Sequence, residues 1–198
     1  MRLGALASDI GCLVRRDGLR PTLRKVSEGF QGQDLIVLCK RLDEIADVAL
    51  DRRLAISDLS ESDLPALAEF NRRRCDTRAT GRFAAGLESG DHAFIARNDG
   101  EVAGYYWWTV RDHPHVGHLG ISLAEGDVYG FDYFLADEHR GEGRAVEFLH
   151  GIETRLRERG FDRVWGYVRS DNRPARWLYS SRGYDSVDKV HLKLGRMR

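Results

Sequence analysis

Apolar positions along this chain recur in two rhythms that alternate. Leu64, Leu67 and Phe70 fall at helical spacing, as do Ala145, Leu149, Ile152 and Leu156. Between them, Val102–Val110 is dense in aromatic and β-branched residues and reads as a strand. His92–Arg97 and Glu101–Val110 flank Asn98-Asp99-Gly100, residues that tolerate positive φ, so the two arms predict a hairpin. Further strands are predicted at Asp34–Arg41, Leu54–Ile56, Val128–Ala136, Arg163–Val168 and Ser186–Leu194.

Helices are predicted after Ser60-Glu61-Ser62-Asp63, which has the form of a capping box, and over Thr80–Glu88. Two more are predicted over Gly143–Arg159, ended by Gly160, and over Asn172–Ser181, with Pro174 in its first turn and Gly183 just beyond. The order predicts an α/β fold with a mixed sheet. Leu3, Leu6, Ile10 and Leu13 begin a helical segment within 1–32 that Gly18 and Pro21 interrupt. Residues 1–53 thus form an N-terminal extension, a helical segment plus one strand, ahead of a regular domain over 54–198.

Composition narrows the class. The 198 residues fit one domain or one domain plus an extension, and 31 basic residues balance 31 acidic ones. A net charge of zero gives no global reason for a nucleic-acid or membrane partner. Cys12, Cys39 and Cys75 are scattered and odd in number, which argues against a disulfide framework or a structural zinc site. No apolar run approaches membrane-spanning length, and Asp9 with Arg15-Arg16 breaks the N-terminal stretch early. The expectation is a soluble, cytoplasmic protein without a metal.

The stretch from Tyr133 to Ala145 carries the most chemistry. A strand feeds the turn Arg140-Gly141-Glu142-Gly143-Arg144-Ala145, and a helix begins inside it. Unpaired amides at a helix start, together with the helix dipole, form an anion site suited to a pyrophosphate. Gly141 and Gly143 put no Cβ in the way, and Arg140 and Arg144 offer cationic donors. On its own the turn also fits a plain strand-to-helix connection that uses glycine for its dihedrals.

The turn resembles the acyl-CoA-binding signature of the GNAT N-acetyltransferase superfamily, (Arg/Gln)-x-x-Gly-x-(Gly/Ala), on Arg140, Gly143 and Ala145. Downstream, Asn172 and then Trp177-Leu178-Tyr179-Ser180-Ser181-Arg182-Gly183-Tyr184 are similar to the family's Leu-Tyr-x-x-x-Gly-(Phe/Tyr) ending. The resemblance covers about 54–198 in element order. It implies a mostly antiparallel central sheet flanked by helices, with two splayed parallel strands holding CoA. It also implies transfer of an acetyl or acyl group from acetyl-CoA to a primary amine in a direct ternary complex.

By position, the resemblance assigns the pantetheine arm to the main chain of Tyr133, Phe134 and Leu135. It assigns the pyrophosphate to the amides from Gly141 through Glu142, Gly143, Arg144 and Ala145 to Val146, and the cofactor arm also to Asn172, which is equally a good helix cap. Tyr179 matches the tyrosine that protonates the departing thiolate; packing at helical spacing with Ala175 is its plain alternative.

The base stays open. Some members carry a carboxylate where this chain has Tyr129, so that role does not transfer. Asp132, on the opposite face by strand alternation, Asp127, a water relay and a histidine of the 111–118 segment are the candidates. His113, His115 and His118 lack a companion cysteine or acidic cluster, and a solvated or acceptor-touching loop suits them better than a metal. The missing carboxylate leaves a CoA-binding or regulatory module without catalysis as the alternative function. An aminoacyl-tRNA-dependent transferase ranks last, because the chain is short and uncharged overall. Dimerisation and capping of an acceptor cleft are both open to residues 1–53.

Overall fold

A computed structural model describes residues 33–45, 53–74, 76–111 and 114–192, and the helical segment predicted within 1–32 lies outside them. Among the described residues seven strands form one sheet: β1 (Gln33–Arg41), β2 (Leu54–Asp58), β3 (His92–Asn98), β4 (Glu101–Thr109), β5 (Asp127–Leu135), β6 (Arg163–Arg169) and β7 (Asp185–Leu192). Their order is β2-β3-β4-β5-β6-β1-β7. Every neighbouring pair is antiparallel except β5 and β6, which run parallel.

The described residues also form helices α1 (Leu64–Arg73), α2 (Thr77–Glu88), α3 (Pro114–His118), α4 (Arg144–Glu158) and α5 (Arg173–Ser181). The chain divides into two compact units. In one of them Ser60–Gly90 holds α1 and α2, which pack on each other. At its start the Asp63 carboxylate accepts from the Ser60 amide at 2.9 Å, and the Ser60 hydroxyl donates to the same carboxylate. The predicted capping box is present in both halves, the Asp63 amide turning to the Ser60 side chain as well.

The other unit, Gln33–Leu59 with Asp91–Leu192, carries the whole sheet. Ile36, Leu38, Tyr106, Trp108, Val128 and Val164 face Phe148, Leu149, Ile152 and Leu156 of α4 and Leu178 of α5. On the opposite face Leu35, Val37 and Tyr129 pack against Val116, Leu119 and Ile121 in and after α3. The paired tryptophans divide accordingly: Trp108 stands edge-on to Phe161, while Trp107 stacks on Phe131.

β1 belongs to the predicted extension, yet it is an inner strand, with Leu35 opposite Arg169 of β6 and Val190 of β7. The residues explain the position. Leu35-Ile36-Val37-Leu38 is buried on both faces, as an unbroken apolar run requires, and only an interior strand supplies two covered faces. No helix among the described residues is long and apolar enough to cross a membrane.

Candidate functional site

The parallel pair β5–β6 stays together only at Asp127↔Arg163, Val128↔Val164 and Tyr129↔Trp165. The buried Asp127 carboxylate clamps this closed end, accepting from Arg163 Nε at 2.7 Å and Nη2 at 3.0 Å, and from the Ala124 amide. Beyond it the strands splay. Asp132 has a φ of 49°, and the β4–β5 register slips there, with Phe131 opposite Trp107 and Phe134 opposite Tyr105. This bulge turns β5 away from β6.

Two glycines mark the apex. A Cβ on Gly166 would come within 3.3 Å of the Gly130 carbonyl, and one on Gly130 would lie 1.5 Å from the Tyr106 hydroxyl. The tyrosine occupies the space a side chain at 130 would need.

A cavity of about 580 Å³ opens in the splay. Tyr133, Leu135, Arg140, Ala145, Asn172, Tyr179 and Asp132 all line it, so the structure gathers most of the residues singled out in the sequence. Phe134, Gly141, Glu142, Gly143, Arg144 and Val146 are not part of its wall. Phe134 stacks on Tyr105 instead, with centroids 5.6 Å apart.

At one end of the cavity a short 3-10 turn, Asp137–His139, leads to Arg140. Gly141, Glu142 and Gly143 then take successive φ values of 98°, 47° and 77°, and α4 starts at Arg144. Only a residue without Cβ adopts the first of these without strain. The Arg144 amide closes onto the Gly141 carbonyl, and that of Glu147 onto Gly143. The amides of Gly141, Glu142, Gly143, Ala145 and Val146 have no backbone acceptor among the described residues. They crown the N-terminus of a fifteen-residue helix, the arrangement that draws anions.

The arginines are partly engaged. Arg140 Nε donates to the Leu135 carbonyl at 3.0 Å, and Arg140 also pairs with Asp137. Arg144 lies 3.5 Å from Glu142, and its Nε is buried without a hydrogen-bond partner. Glu142 in turn holds Arg53 at 3.1 Å.

Asn172 caps α5, its Oδ1 accepting from the Ala175 amide at 3.2 Å, and it faces the cavity as well. The Tyr179 ring is braced edge-on by Tyr184 at 4.9 Å and Tyr133 at 6.5 Å. Burial pushes the Tyr179 phenol well above the ordinary tyrosine range, and the neighbouring Tyr167 and Glu153 add to this. The phenol therefore keeps its proton at neutral pH. Asp132 is exposed and is the one carboxylate among the described lining residues. Tyr167, across the cavity, has its phenol raised by burial and then by the charge of Asp132.

Tyr167 and Trp177 line the cavity too, and the sequence reading gave neither a role. Tyr167 reads as an ordinary strand residue, and only the stagger of β6 against β5 aims it inward. Trp177 carried a signal, because a tryptophan on the polar side of a short helix is unusual; it is 67% exposed. Of the histidine segment, 112–113 lies outside the described residues, and Pro114–His118 forms α3. No group of three or more metal-ligating side chains occurs among the described residues.

The chain is 33% identical over 94 residues to a mycothiol acetyltransferase of Thermobifida fusca, a match covering 46% of this chain and 27% of that protein. It thus spans only about a quarter of the length of that relative. Among solved structures, a GCN5-related glucosamine N-acetyltransferase region of a fungal multi-domain GH3 beta-N-acetylglucosaminidase superposes with a TM-score of 0.62 at 17% identity, covering 87% of this chain and 22% of that one. A functionally unknown conserved protein from Staphylococcus epidermidis superposes with a TM-score of 0.59 at 13% identity, covering 88% and 66%. These likenesses establish a shared fold. The sequence model of the Acetyltransferase (GNAT) family matches residues 54–184, from β2 through the Tyr179 helix to Tyr184, and the chain belongs to that family.

Proposed function

We propose that this chain transfers an acetyl group from acetyl-CoA to a primary amine by direct attack within a ternary complex. The observation that carries the reading is the splay cavity itself, with free amides at one end and a protonated phenol and a carboxylate on its walls. The residues fit the donor. The turn amides of Gly141, Glu142, Gly143, Ala145 and Val146, with Arg144, suit its pyrophosphate. The edge of β5 at Tyr133–Leu135, where the pairing with β6 has ended, suits the amide-bearing pantetheine arm, which can add to it as a strand does, although the Leu135 carbonyl already accepts from Arg140. Asn172 borders the same arm.

Acetyl-CoA supplies an activated acyl group whose leaving sulfur must gain a proton. As the C–N bond forms and the C–S bond breaks, Tyr179 gives the sulfur that proton and is reprotonated by the second proton leaving the acylated nitrogen, burial favouring the protonated phenol in the working pH range. Asp132 holds the incoming ammonium and receives its proton, directly or through water, as the lone carboxylate on the described wall. Asp127 does not serve, because its oxygens are bound to Arg163 and the Ala124 amide. Tyr129 does not serve either, being buried against Leu35 and Val37. The aromatic rings of Phe131 and Tyr167 beside Asp132 suit a cationic acceptor.

The test is thiol release from acetyl-CoA with a panel of small amines, amino sugars and lysine peptides. Turnover with an amine and none with the matching alcohol supports the proposal. The buried Tyr129, where some relatives carry a carboxylate, favours one rival: a module that binds acetyl-CoA without turning it over. Saturable binding with no thiol release across the panel would establish that rival.

A further inference from the structure

A buried charge cluster lies behind Tyr179, and the transfer chemistry above leaves it unused. Glu153, on α4, is 0% exposed, and its Oε2 takes two cations. Lys40 Nζ of β1 stands 3.1 Å away, and Arg182 Nη2, just past α5, stands 2.5 Å away. Lys40 also donates to the Arg182 carbonyl, and Arg182 Nη2 lies 3.0 Å from His150 Nδ1. Since a guanidinium only donates, that imidazole nitrogen accepts and the His150 proton sits on Nε2. Glu153 Oε1 and Arg182 Nε have no hydrogen-bond partner.

Such a cluster is a poor device for stability. Desolvating three charges costs several kcal/mol each, and apolar replacements of similar volume are often neutral or better. Incomplete hydrogen bonding deepens the cost. What the cluster does supply is geometry. It joins three elements that are distant in sequence: the inserted strand β1, the helix whose first turn faces the cavity, and the end of the helix that carries Tyr179.

The link to Tyr179 is short. The Arg182 and Tyr184 amides both donate to the Tyr179 carbonyl at 3.1 Å. Tyr184 braces the Tyr179 ring, and Lys40 Nζ lies 5.5 Å from the centre of the Tyr184 ring. Moving Arg182 moves the last turn of α5 and the phenol with it.

We infer that Glu153 is a positioning residue for Tyr179, its single carboxylate fixing Lys40 and Arg182 so that the phenol is held at the depth where the sulfur leaves. The inference rests on Tyr179 being the proton donor of the proposed reaction. Because it acts through the phenol, its effect must vanish when the phenol is gone, whereas a residue that only supports the fold costs the same in either background.

The experiment is a double-mutant cycle in the full chain with acetyl-CoA and the best amine of the panel, using Tyr179→Phe, Glu153→Gln and both together. A misplacement near 1 Å costs up to about 10²-fold in rate. Glu153→Gln is expected to lower kcat by roughly 10–100-fold with KM for acetyl-CoA within about twofold. In the Tyr179→Phe background the same change should lower kcat by less than about threefold. An equal loss in both backgrounds, or a loss confined to KM, overturns the inference and leaves the role of Tyr179 standing. Unchanged kcat in Tyr179→Phe alone removes the proton-donor reading and the inference together. Should Glu153→Gln not fold, Glu153→Asp keeps the charge and shortens the reach, and the same cycle is run with it under the same criteria.

Discussion

Replacing Gly130 by alanine tests the apex of the splay with a single methyl group. No positive φ is involved at this position, so on backbone grounds alone the change would stabilise, by about 0.4–1 kcal/mol through the unfolded chain. The contacts say the opposite. The new Cβ would sit 1.5 Å from the Tyr106 hydroxyl oxygen, 2.4 Å from its Cζ and 3.2 Å from its Cε2. Relief needs a shift of roughly 2 Å to restore an ordinary contact of about 3.5 Å. The Tyr106 ring is 4% exposed and wedged beside Tyr133, so it cannot swing into solvent.

Overpacking of this kind costs about 1–3 kcal/mol, at the upper end here. For a chain of this size each kcal/mol lowers Tm by roughly 2–4 °C. Gly130→Ala is therefore expected to lose about 4–12 °C by calorimetry. Tyr106→Phe removes the oxygen but leaves the carbon at 2.4 Å, so the double variant should recover part of the loss, a coupling of about 0.5–3 kcal/mol. A Gly130→Ala protein with wild-type or higher Tm, or strict additivity with Tyr106→Phe, would refute the close packing behind the apex.

Other consequences are equally open to measurement. Asp132→Asn should lower kcat/KM for the amine by about 10²–10⁴-fold while leaving acetyl-CoA binding by calorimetry unchanged; undiminished turnover would return the base to water or another group. Asn172→Asp keeps the α5 cap and loses the amide donor, so Tm should hold while KM for acetyl-CoA rises, whereas Asn172→Ala should also lose about 0.5–2 kcal/mol of stability. Burial raises the phenols of Tyr106, Tyr129, Tyr133, Tyr167, Tyr179 and Tyr184, so the folded state keeps protons that the unfolded chain releases near pH 10. Their contribution is full below that pH and is lost as pH rises toward the folded values. Lys40, lowered by burial, works the other way, one group against six phenols. Stability should fall above about pH 10, with tyrosinate absorbance at 295 nm appearing together with the loss of circular dichroism. Ionisation of all these phenols in a still-folded protein would contradict their burial.

Much of this was legible in the sequence, for reasons that are local. The turn at Arg140–Ala145 announces itself because glycine spacing and a helix start are properties of adjacent residues. The Asn98-Asp99-Gly100 hairpin forms where the turn chemistry puts it, with positive φ at both Asp99 and Gly100.

The illegible parts are long-range. Nothing in Leu35–Leu38 says that β1 inserts between β6 and β7, although burial of every residue in the run marks an interior strand. Gly130 and Gly166 look like weak points in strands until Tyr106 and the Gly130 carbonyl are seen to need the space. Strand alternation put Asp132 on the face opposite Tyr129, but the bulge at Asp132 breaks the alternation itself. Glu153 did leave a trace: it lies at helical spacing between Leu149 and Leu156 on an apolar face, where an acid calls for a buried cation. Its partners, Lys40 and Arg182, are too distant in sequence for any pattern to name.

The Arg140–Val146 turn is proposed to receive the donor's pyrophosphate. Thermal unfolding with acetyl-CoA tests it most directly. Ligand at about 100-fold above Kd stabilises by about 2.7 kcal/mol, which for this size is a rise of roughly 5–11 °C. That rise is expected for the native chain and is expected to disappear in Arg144→Glu and in Gly143→Trp, at Tm values without ligand that still report a folded protein. No rise at millimolar acetyl-CoA, or an equal rise in both variants, would contradict it.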